Sequence, residues 1–456
     1  MYHSPALSTI REVERVPSPR ETPFVSIAPP ICFVWTAFSS SCLATFRQSA
    51  EKTELHFGMT HKPPTEFDVV IVGAGIAGSV AAWVLQDSGL SVAVLDEHPQ
   101  AFPAFRAERI SQGAAATLSE LKLFDRLERI ALPLRSTATI KGGAIEEIVR
   151  NTDYSIPLWK LVAELRAGMN GTNSPQLIIG HVEGAETTAT RQLVRLRSGQ
   201  SLACKLLVVA TGNANCLLKA FGIEREILSQ NHSTTFGFDV EPSASFRLPT
   251  DSISVRMCKD GADYMNVFPT TDGGFRANLF TYWPAGGERV RDFIKGDTNR
   301  ILKRLAPHMM KPTGEWKATG KIECGSVSVM KSTGYRQAGF VLIGDAYGRI
   351  CPCGGMGVNK ALSDILTLRK YVPGWLTSET PLNWEMLSQY YADPTREAFE
   401  NYLFNTSMFI RNRLLNKHPL WMLRRWYYHQ VPVQAKSLVR KLRGQNVSAC
   451  SGSLAT

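Results

Sequence analysis

Residues 67–97, FDVVIVGAGIAGSVAAWVLQDSGLSVAVLDE, contain an apolar run, a glycine-rich turn, a helical pattern and a second apolar run. The β-branched residues of the first run are typical of a strand that is buried on both faces of a parallel sheet. The GxGxxG turn follows this run directly, and two acids close the second run. This order and spacing predict a dinucleotide-binding βαβ unit.

The glycine-rich turn has the residue types that a bound pyrophosphate requires. Gly73 permits a tight turn, Gly75 lets the backbone approach the phosphates, and Gly78 lets the helix pack closely on the strand. The start of the helix presents free N–H groups and a partial positive charge to an anion. The residues predicted to bind the pyrophosphate are Gly73, Gly75, Ile76, Ala77 and Gly78. Asp96 and Glu97, which end the second strand, are both candidates to accept hydrogen bonds from ribose hydroxyls.

The composition is that of a folded globular protein. The chain has 456 residues, of which 44% are hydrophobic and 20% are charged, and this excludes a largely disordered, collagen-like or coiled-coil chain. The length is compatible with about three domains or one large enzyme. No uncharged apolar run reaches the roughly 18 residues that a membrane-spanning helix needs. The nine cysteines are scattered and lack metal-ligand spacing, so we expect a reducing cytoplasm, no disulfide framework and no metal site.

A second glycine-rich segment indicates which dinucleotide binds. Residues 340–368 read FVLIGDAYGRICPCGGMGVNKALSDILTL, with an apolar strand, an acid at its end, a Pro/Gly loop and then a helix. An acid in this place can bind a sugar-alcohol hydroxyl, and a glycine loop that opens a helix presents free N–H groups to developing negative charge. A reduced flavin carries such charge near N1, which favours FAD. The residues predicted to bind it are Gly344, Asp345, Pro352, Gly354, Gly355, Gly357, Val358 and Asn359.

These segments resemble the FAD-dependent monooxygenases of the aromatic-hydroxylase type, the 4-hydroxybenzoate hydroxylase-like flavoprotein superfamily. The second FAD motif of that family reads approximately GDAAHxxxPxGGxGxN, and the segment that begins at Gly344 matches it at most positions. The resemblance covers roughly residues 66–410. It implies an α/β (α+β overall) fold, with a Rossmann-like FAD-binding domain, an inserted antiparallel-sheet substrate domain and a C-terminal helical tail. It also implies FAD as cofactor, NADH or NADPH as co-substrate, and O2 and a small molecule as substrates.

Two further stretches resemble the same family. In FRAERISQGAAATLSELKLFDRL, residues 105–127, Arg106 would lie near the FAD pyrophosphate or the ring edge, and Arg109 is the competing candidate. The resemblance also places Gly212 at the cofactor, in the segment LLVVATGNAN. Thr211 stands there where the family usually has an aspartate that is linked to FAD and NAD(P)H. The Ala-Thr-Gly form is similar to related flavin reductases and halogenases.

The chain is predicted to contain five segments, in which the FAD-binding domain is discontinuous. They are an N-terminal extension that is disordered or mis-annotated (1–62), the first part of the FAD-binding domain (63–224), the substrate domain (225–338), the second part of the FAD-binding domain (339–372) and a basic helical tail (373–456). Alternating apolar and polar residues in the substrate domain indicate antiparallel strands with one buried face. We expect strands at 232–240, 252–259, 263–269 and 274–283, and one helix from about 287 to 308.

The strands of the substrate domain supply the candidates for the substrate pocket. These are Tyr264, Asn266, Phe268, Arg276, Asn278 and Tyr282, and the weak catalytic candidates among them are Tyr264, Asn266 and Arg276. A tyrosine or asparagine side chain can orient a phenol or a carbonyl. The competing interpretation is that alternate residues of these strands are core or face solvent.

The two ends of the chain differ from the rest in composition. The first 62 residues contain Pro/Ser-rich patches, and Met59 stands where a start before the first strand is expected. No Asp or Glu follows Glu400, whereas nine Lys and Arg residues do. Two interpretations of this basic, aromatic tail stay open: peripheral contact with anionic lipid at the inner face of the membrane, or a solvated helix. Nucleic-acid binding is not expected, because most of the excess positive charge lies in the tail and no RNA- or DNA-binding signature accompanies it.

Three functions are compatible with the sequence. The first is a monooxygenase in which NAD(P)H reduces FAD, and a flavin C4a-hydroperoxide then hydroxylates a small aromatic or lipophilic substrate. The second is a reductase or dehydrogenase of an isoprenoid or lipid, because YMNVFP at 264–269 resembles a box of the geranylgeranyl reductases. The third is a non-catalytic FAD-stabilised binding module. The intact glycine loop at 354–357 argues against the third function, and the first is the preferred one.

Overall fold

The computed structural model describes residues 65–106, 108–378 and 380–430, with side chains up to residue 426. The predicted extension at 1–62 therefore lies outside the described residues. The strands are β1 (Thr65–Val72), β2 (Val92–Asp96), β3 (Arg109–Ile110), β4 (Leu132–Leu134), β5 (Thr137–Lys141), β6 (Ala144–Val149), β7 (Asp153–Ser155), β8 (Gln176–Ile179), β9 (Val182–Thr187), β10 (Gln192–Leu196), β11 (Ser201–Val209), β12 (Glu224–Pro242), β13 (Ser252–Lys259), β14 (Ala262–Pro269), β15 (Phe275–Thr281), β16 (Trp316–Thr333), β17 (Phe340–Leu342) and β18 (Gly348–Arg349).

The helices lie on both sides of the first sheet, beside the second sheet and at the C-terminal end of the described chain. They are α1 (Ile76–Asp87), α2 (Gln112–Glu120), α3 (Phe124–Glu128), α4 (Leu158–Ala167), α5 (Cys216–Ala220), α6 (Glu288–Lys295), α7 (Thr298–Leu305), α8 (Gly357–Thr377), α9 (Trp384–Tyr391), α10 (Pro394–Leu415) and α11 (Pro419–Gln430). In the described part of the chain, no helix is long and apolar enough to cross a membrane.

The first sheet has seven strands and contains the predicted βαβ unit. Its order is β8-β2-β1-β11-β10-β9, and β17 also pairs with β11. β1 runs parallel to β2 and to β11, and its residues Val69, Val70 and Ile71 are fully buried. A strand that is covered on both faces needs such a continuous apolar run, and β1 could therefore be predicted from the sequence. β17 runs parallel to β11, so the Gly344 turn that follows it opens at the same edge as the Gly73 turn.

The second sheet has eight strands and confirms the predicted α/β (α+β) class. Its order is β18-β16-β12-β15-β14-β13-β5-β6, and only the β13–β5 pair is parallel. The predicted strand at 252–259 coincides with β13, and β12, β14 and β15 overlap the other three predictions. β5 and β6, however, fall within the segment 63–224 that we expected to belong wholly to the FAD-binding domain. They join the second sheet because Ser252–Arg256 pair in register with Thr137–Lys141.

The predicted helix at 287–308 is two helices. α6 ends at Lys295 and is followed by Gly296, and the Asp297 carboxylate accepts the Arg300 N–H at 2.9 Å and so caps α7. Phe293 of α6 and Leu302 of α7 are fully buried against the second sheet. The apolar pattern continues through both helices and so does not show the break. The break is marked by Gly296, which follows α6, and by Asp297, which caps α7.

A buried cluster of charged side chains lies between the C-terminal helices α8 and α10. Lys360 and Asp364 of α8 and Arg396 and Glu400 of α10 are all at most 5% exposed. Asp364 accepts hydrogen bonds from Lys360 Nζ at 3.2 Å and from Arg396 Nε at 2.9 Å. The predicted boundary at residue 372 falls inside α8, because this helix continues past Pro373 to Thr377. The helical character predicted for the tail is confirmed up to residue 430 by α9, α10 and α11, and residues 431–456 of the predicted tail lie outside the described residues.

Candidate functional site: a cavity between the two sheets

The glycines of the first turn have the geometry that a phosphate cradle requires. Gly73 has a φ of +103°, and a Cβ atom there would lie 2.5 Å from the Ala210 carbonyl oxygen. A Cβ atom on Gly78 would lie 1.8 Å from the Gly73 carbonyl oxygen. A Cβ atom on Gly75 would meet nothing within 4 Å, because this glycine faces a cavity. Gly73 and Gly78 are therefore required by the fold itself, whereas Gly75 leaves space for a ligand.

The two acids at the end of β2 have different environments. The Asp96 carboxylate accepts the Ala74 N–H at 2.8 Å and the His98 N–H at 2.9 Å, and it lines the cavity. Glu97 points away from it, with its side chain 54% exposed and 2.9 Å from His181. The structure thus brings Asp96, but not Glu97, to the predicted ribose position.

The second motif turns sharply at the end of β17. Gly344 has a φ of +59°, and its N–H donates to Asp364 Oδ2 at 2.8 Å. Asp345, the acid predicted to bind the ribityl chain, lines the same cavity as Gly75. The buried charge cluster of α8 and α10 therefore holds the turn that presents this acid.

Arg225 of β12 joins the second FAD motif to the Thr211-Gly212 turn, and the sequence did not indicate it. Its guanidinium donates to the Asp345 carbonyl oxygen at 2.9 Å and to the Gly212 carbonyl oxygen at 2.6 Å. Burial lowers the pKa of this arginine, and the nearby Asp345 opposes that shift. Gly212, predicted to lie at the cofactor, does line the cavity. Arg225 lies beyond any motif, so no local pattern could have identified it.

The Pro/Gly loop before α8 completes one wall of the cavity. Gly355 has a φ of +65°, and a Cβ atom on either Gly355 or Gly357 would meet nothing within 4 Å. Asn359 accepts a hydrogen bond from Ser111 Oγ at 3.1 Å, which ties α8 to α2. All the predicted loop residues line the cavity, namely Pro352, Gly354, Gly355, Gly357, Val358 and Asn359, and Cys351, Cys353 and Met356, which were not predicted, line it as well.

Arg106 and Arg109 both line the cavity but differ in their partners. Arg109 Nη2 lies 2.7 Å from Asp153 Oδ2 and 3.3 Å from Thr137 Oγ1. Its charge is thus balanced by a partner within the fold. Arg106 is exposed, and it lies close enough to Arg349 to lower the pKa of that guanidinium, which burial already lowers.

The three catalytic candidates of the second sheet occupy different places. Tyr264 is half-buried, stacks on Phe280 with ring centroids 4.5 Å apart, and donates a hydrogen bond to the Cys353 carbonyl oxygen at 2.7 Å. Asn266 lines the same cavity. Arg276 lies instead at a neighbouring cavity of about 360 Å³, and it lines no part of the larger one.

The Arg276 guanidinium is saturated by carboxylates. It pairs with Glu108 at 3.0 Å, with Asp239 at 2.9 Å and with Glu323. Burial raises the pKa of Glu108, and Arg276 opposes that shift. This arrangement is that of a partly buried ion cluster that joins β12, β15 and β16 to one another.

The main cavity has a volume of about 2010 Å³ and extends from the first sheet to the second. The glycine motifs form one end, and β13, β14 and β15 form the other. α10, which the sequence did not identify as part of the site, contributes Phe399, Tyr402 and Phe409 to its wall. Arg413 of the same helix lies 3.3 Å from Asp263 of β14 and so joins α10 to the second sheet. Aromatic residues three and seven positions apart were the only sequence signal for this wall.

The residues at the first end fit FAD. α1 and α8 both begin at this cavity, and neither has a side chain that caps its first turn. Two uncapped helix N-termini offer free N–H groups at one cavity, as a pyrophosphate and a reduced flavin require. The fold and the site are thus those of an FAD-dependent flavoprotein.

Comparisons with known proteins agree with this class. The profile of the FAD binding domain family matches residues 66–377, and the chain belongs to that family. Kynurenine 3-monooxygenase of Dictyostelium discoideum is 23% identical to this chain over 327 aligned residues. The alignment covers 66% of this chain and 68% of that protein. Digeranylgeranylglycerophospholipid reductase 1 of Methanopyrus kandleri is 26% identical over 327 residues, 65% of this chain and 78% of that protein.

A solved structure shows the same fold over most of the chain. The p-nitrophenol 4-monooxygenase PnpA from Pseudomonas putida DLL-E4 has a TM-score of 0.64 and 19% identity, and the match covers 84% of this chain and 98% of that one. The predicted fold class and the resemblance to the FAD-dependent monooxygenases are thereby confirmed. The protein is an FAD-dependent oxidoreductase of the monooxygenase family.

Proposed function

We propose that the chain hydroxylates a small aromatic or lipophilic molecule with O2, and that NADH or NADPH supplies the electrons. One observation carries this proposal: a single cavity is lined by both FAD motifs and by Tyr264 and Asn266 of the second sheet. A substrate held against β14 would lie next to the Pro/Gly loop that flanks the flavin in this family. The proposal includes action in the cytoplasm and a peripheral contact of the C-terminal end with a membrane.

The chain's own residues stabilise charge and exclude water in this reaction. FAD, when bound, supplies the electron transfer and the oxygen chemistry. The free N–H groups at the start of α8 stabilise negative charge that develops beside the loop. Phe280 and Ile350 give part of the cavity an apolar wall, which limits water at the reacting centre.

Tyr264 is a positioning residue in this proposal. Burial raises the pKa of its phenol well above the usual value, and the nearby Cys353 and Asp263 raise it further. The phenol therefore stays neutral at physiological pH and keeps donating to the Cys353 carbonyl oxygen. This hydrogen bond links the substrate-binding strand to the loop that flanks the flavin.

Oxygen reactivity is the direct test. The FAD-loaded full chain is photoreduced without air and mixed with oxygenated buffer in a stopped-flow spectrophotometer. A transient absorbance that precedes the return of the oxidised flavin spectrum is the expected result. Anaerobic mixing with NADH and then with NADPH measures the rate of flavin bleaching by each. If neither nucleotide bleaches the flavin, the proposed reductant is wrong.

A second candidate function is the reduction of an isoprenoid or lipid double bond. It is favoured by Thr211, which replaces the acid usual in the hydroxylases, and by the likeness to a digeranylgeranylglycerophospholipid reductase. Slow reoxidation in one step, together with saturation of a prenyl lipid by the reduced enzyme, would support it over hydroxylation. Failure of the purified chain to retain FAD would support a fold without catalysis and contradict both enzymes.

A further inference from the structure

α11 presents an apolar face to solvent. Leu420, Met422, Leu423 and Trp426 have exposed fractions of 65%, 55%, 61% and 58%. At about 100° per residue, these four positions fall within one arc of about 160° around the helix. We call them the α11 arc. Large apolar side chains gathered on one exposed face indicate an interaction site rather than ordinary surface.

The opposite face of α11 is fixed to α10. Arg425 donates to the carbonyl oxygens of Arg413 at 2.9 Å and of Asn416 at 2.7 Å. Trp421 packs on Phe409 with ring centroids 5.3 Å apart. These contacts hold the helix in one orientation, so the α11 arc faces outward because of specific bonds on the other side.

The charge around the α11 arc is positive. Arg424 is exposed beside it, and Lys417 is exposed just before the helix. No Asp or Glu follows Glu400 in the sequence, so no acid opposes these cations in the C-terminal part of the chain. A helix with an apolar face and flanking cations complements the anionic lipids of a cytoplasmic leaflet. α11 has 12 residues, and about 20 are needed to span a bilayer, so it would lie in the interface.

The α11 arc lies next to the rim of the main cavity. Phe409, which contacts Trp421, lines that cavity and is 45% exposed. Tyr402, two turns earlier on α10, also lines it and is 41% exposed. A surface that covers α11 would therefore also face the aromatic rim formed by these two residues.

We propose that the α11 arc docks on an anionic lipid surface and that the rim at Tyr402 and Phe409 then faces the bilayer. The substrate taken through this rim is a hydrophobic molecule dissolved in the membrane. This assignment of partner and substrate class rests on the proposed function of the cavity. The docking itself depends only on α11 and on the charges beside it.

Vesicle co-sedimentation of the FAD-loaded full chain tests the docking. The probes are vesicles of phosphatidylcholine alone and of equal parts phosphatidylcholine and phosphatidylglycerol. We expect binding to the anionic vesicles that weakens as salt is raised. The variant Leu420→Ser/Leu423→Ser/Trp426→Ser should lower that binding about tenfold or more, because three apolar side chains no longer enter the interface. Arg424→Glu should lower binding to the anionic vesicles only.

The matched control is Ile227→Ser/Leu228→Ser on β12, where two apolar side chains are also exposed, at 54% and 41%. It should bind vesicles as the parent does. FAD content and thermal unfolding of each variant are measured first; both should be unchanged, since the substituted residues face solvent. If the triple variant loses FAD, the single substitution Arg424→Glu tests the docking instead. Docking is then supported if Arg424→Glu lowers binding to the anionic vesicles and leaves binding to phosphatidylcholine vesicles unchanged.

Three outcomes would overturn the proposal. Vesicle binding that survives the triple substitution would place the contact elsewhere. Absence of binding by the intact protein would mean that another part of the chain covers the α11 arc. A concentration-dependent dimer that the triple substitution dissociates would identify a second copy as the occupant. Oxygen reactivity is measured without vesicles, so failure of the proposed function is distinguishable from failure of docking.

Discussion

The two sheets present their binding groups in different ways. The first sheet, with α1 and α8, forms a dinucleotide half in which turns after β1 and β17 offer backbone N–H groups. The second sheet forms a substrate half in which side chains such as Tyr264 and Asn266 project from a strand into the cavity. Backbone groups can be placed only by a particular chain path, whereas a side chain can be exchanged on an unchanged strand. The dinucleotide half should therefore be less tolerant of substitution.

The largest effect is expected from removing Asp364, which holds the Gly344 turn. Asp364→Ala would leave Lys360 and Arg396 buried without their shared carboxylate. Breaking a buried ion pair in this way costs about 3–5 kcal/mol of unfolding free energy. Chemical denaturation of the FAD-free protein measures it. The surface pair of Arg191 and Glu66 is the control, and Glu66→Ala should change stability by about 0.5 kcal/mol or less.

The pH dependence of the same variant gives a second readout. Burial raises the pKa of Asp364, but Lys360, Arg396 and the Gly344 N–H outweigh it and lower the pKa below the ordinary 3.8. A carboxylate of lowered pKa contributes stability that is fully present above 3.8 and is lost as the pH falls below that value. The difference between parent and Asp364→Ala should thus stay constant from about pH 5 to 8. A difference that disappears at neutral pH would contradict this role.

The glycines of the first turn separate folding from ligand binding within the dinucleotide half. Gly78→Ala would place a Cβ atom 1.8 Å from the Gly73 carbonyl oxygen, so the FAD-free protein should lose about 1–3 kcal/mol of stability. Gly75→Ala would meet no protein atom within 4 Å, so FAD-free stability should be unchanged while FAD affinity falls. Thermal unfolding without FAD and fluorescence titration with FAD measure the two quantities. Equal loss of stability in both variants would show that Gly75 does not face the ligand.

The same contrast explains how much could be predicted from the sequence. Glycines, strand runs and the acid at a strand end form local patterns, so the βαβ unit, the second FAD motif and the four strands of the substrate half could be located. β5 and β6 lie within the segment predicted for the FAD-binding domain but join the second sheet, because β5 pairs with β13, which lies more than 100 residues further along the chain. Pairings over such separations leave no trace in a local pattern.

The least predictable parts of the site are those that depend on a single long-range contact. Arg225 and Phe409 belong to no motif, yet Arg225 joins the second FAD motif to Gly212 and Phe409 forms part of the rim of the cavity. Arg276 is a residue type that often binds substrates, but its guanidinium forms ion pairs with three carboxylates from other segments of the chain. The charge partners of a side chain, which decide its role, are known only from the fold.

A smaller effect, on FAD affinity, is expected from the two acids at the end of β2, and it distinguishes between them. Asp96→Ala should lower FAD affinity about tenfold or more, since a hydrogen bond to a charged group contributes about 1.5–3 kcal/mol. Glu97→Gln should leave the affinity within about twofold, because Glu97 faces His181 and solvent. Equilibrium titration with FAD measures both. A larger effect at Glu97 would reverse the assignment of the ribose-binding acid.

The smallest effect is expected in the substrate half, at Tyr264. Tyr264→Phe removes the hydrogen bond to the Cys353 carbonyl oxygen, and a typical bond of this kind contributes about 0.5–1.5 kcal/mol. FAD affinity should be nearly unchanged, because both glycine motifs stay intact. The absorbance maximum of the bound flavin and the rate of its reoxidation should shift, since the loop beside it is less firmly held. Tyr371→Phe, which removes a phenol bound to Asp393 away from the cavity, should lose similar stability without either spectral change. If Tyr264→Phe instead releases FAD, the substrate half also determines cofactor binding, and the separation of the two halves does not hold.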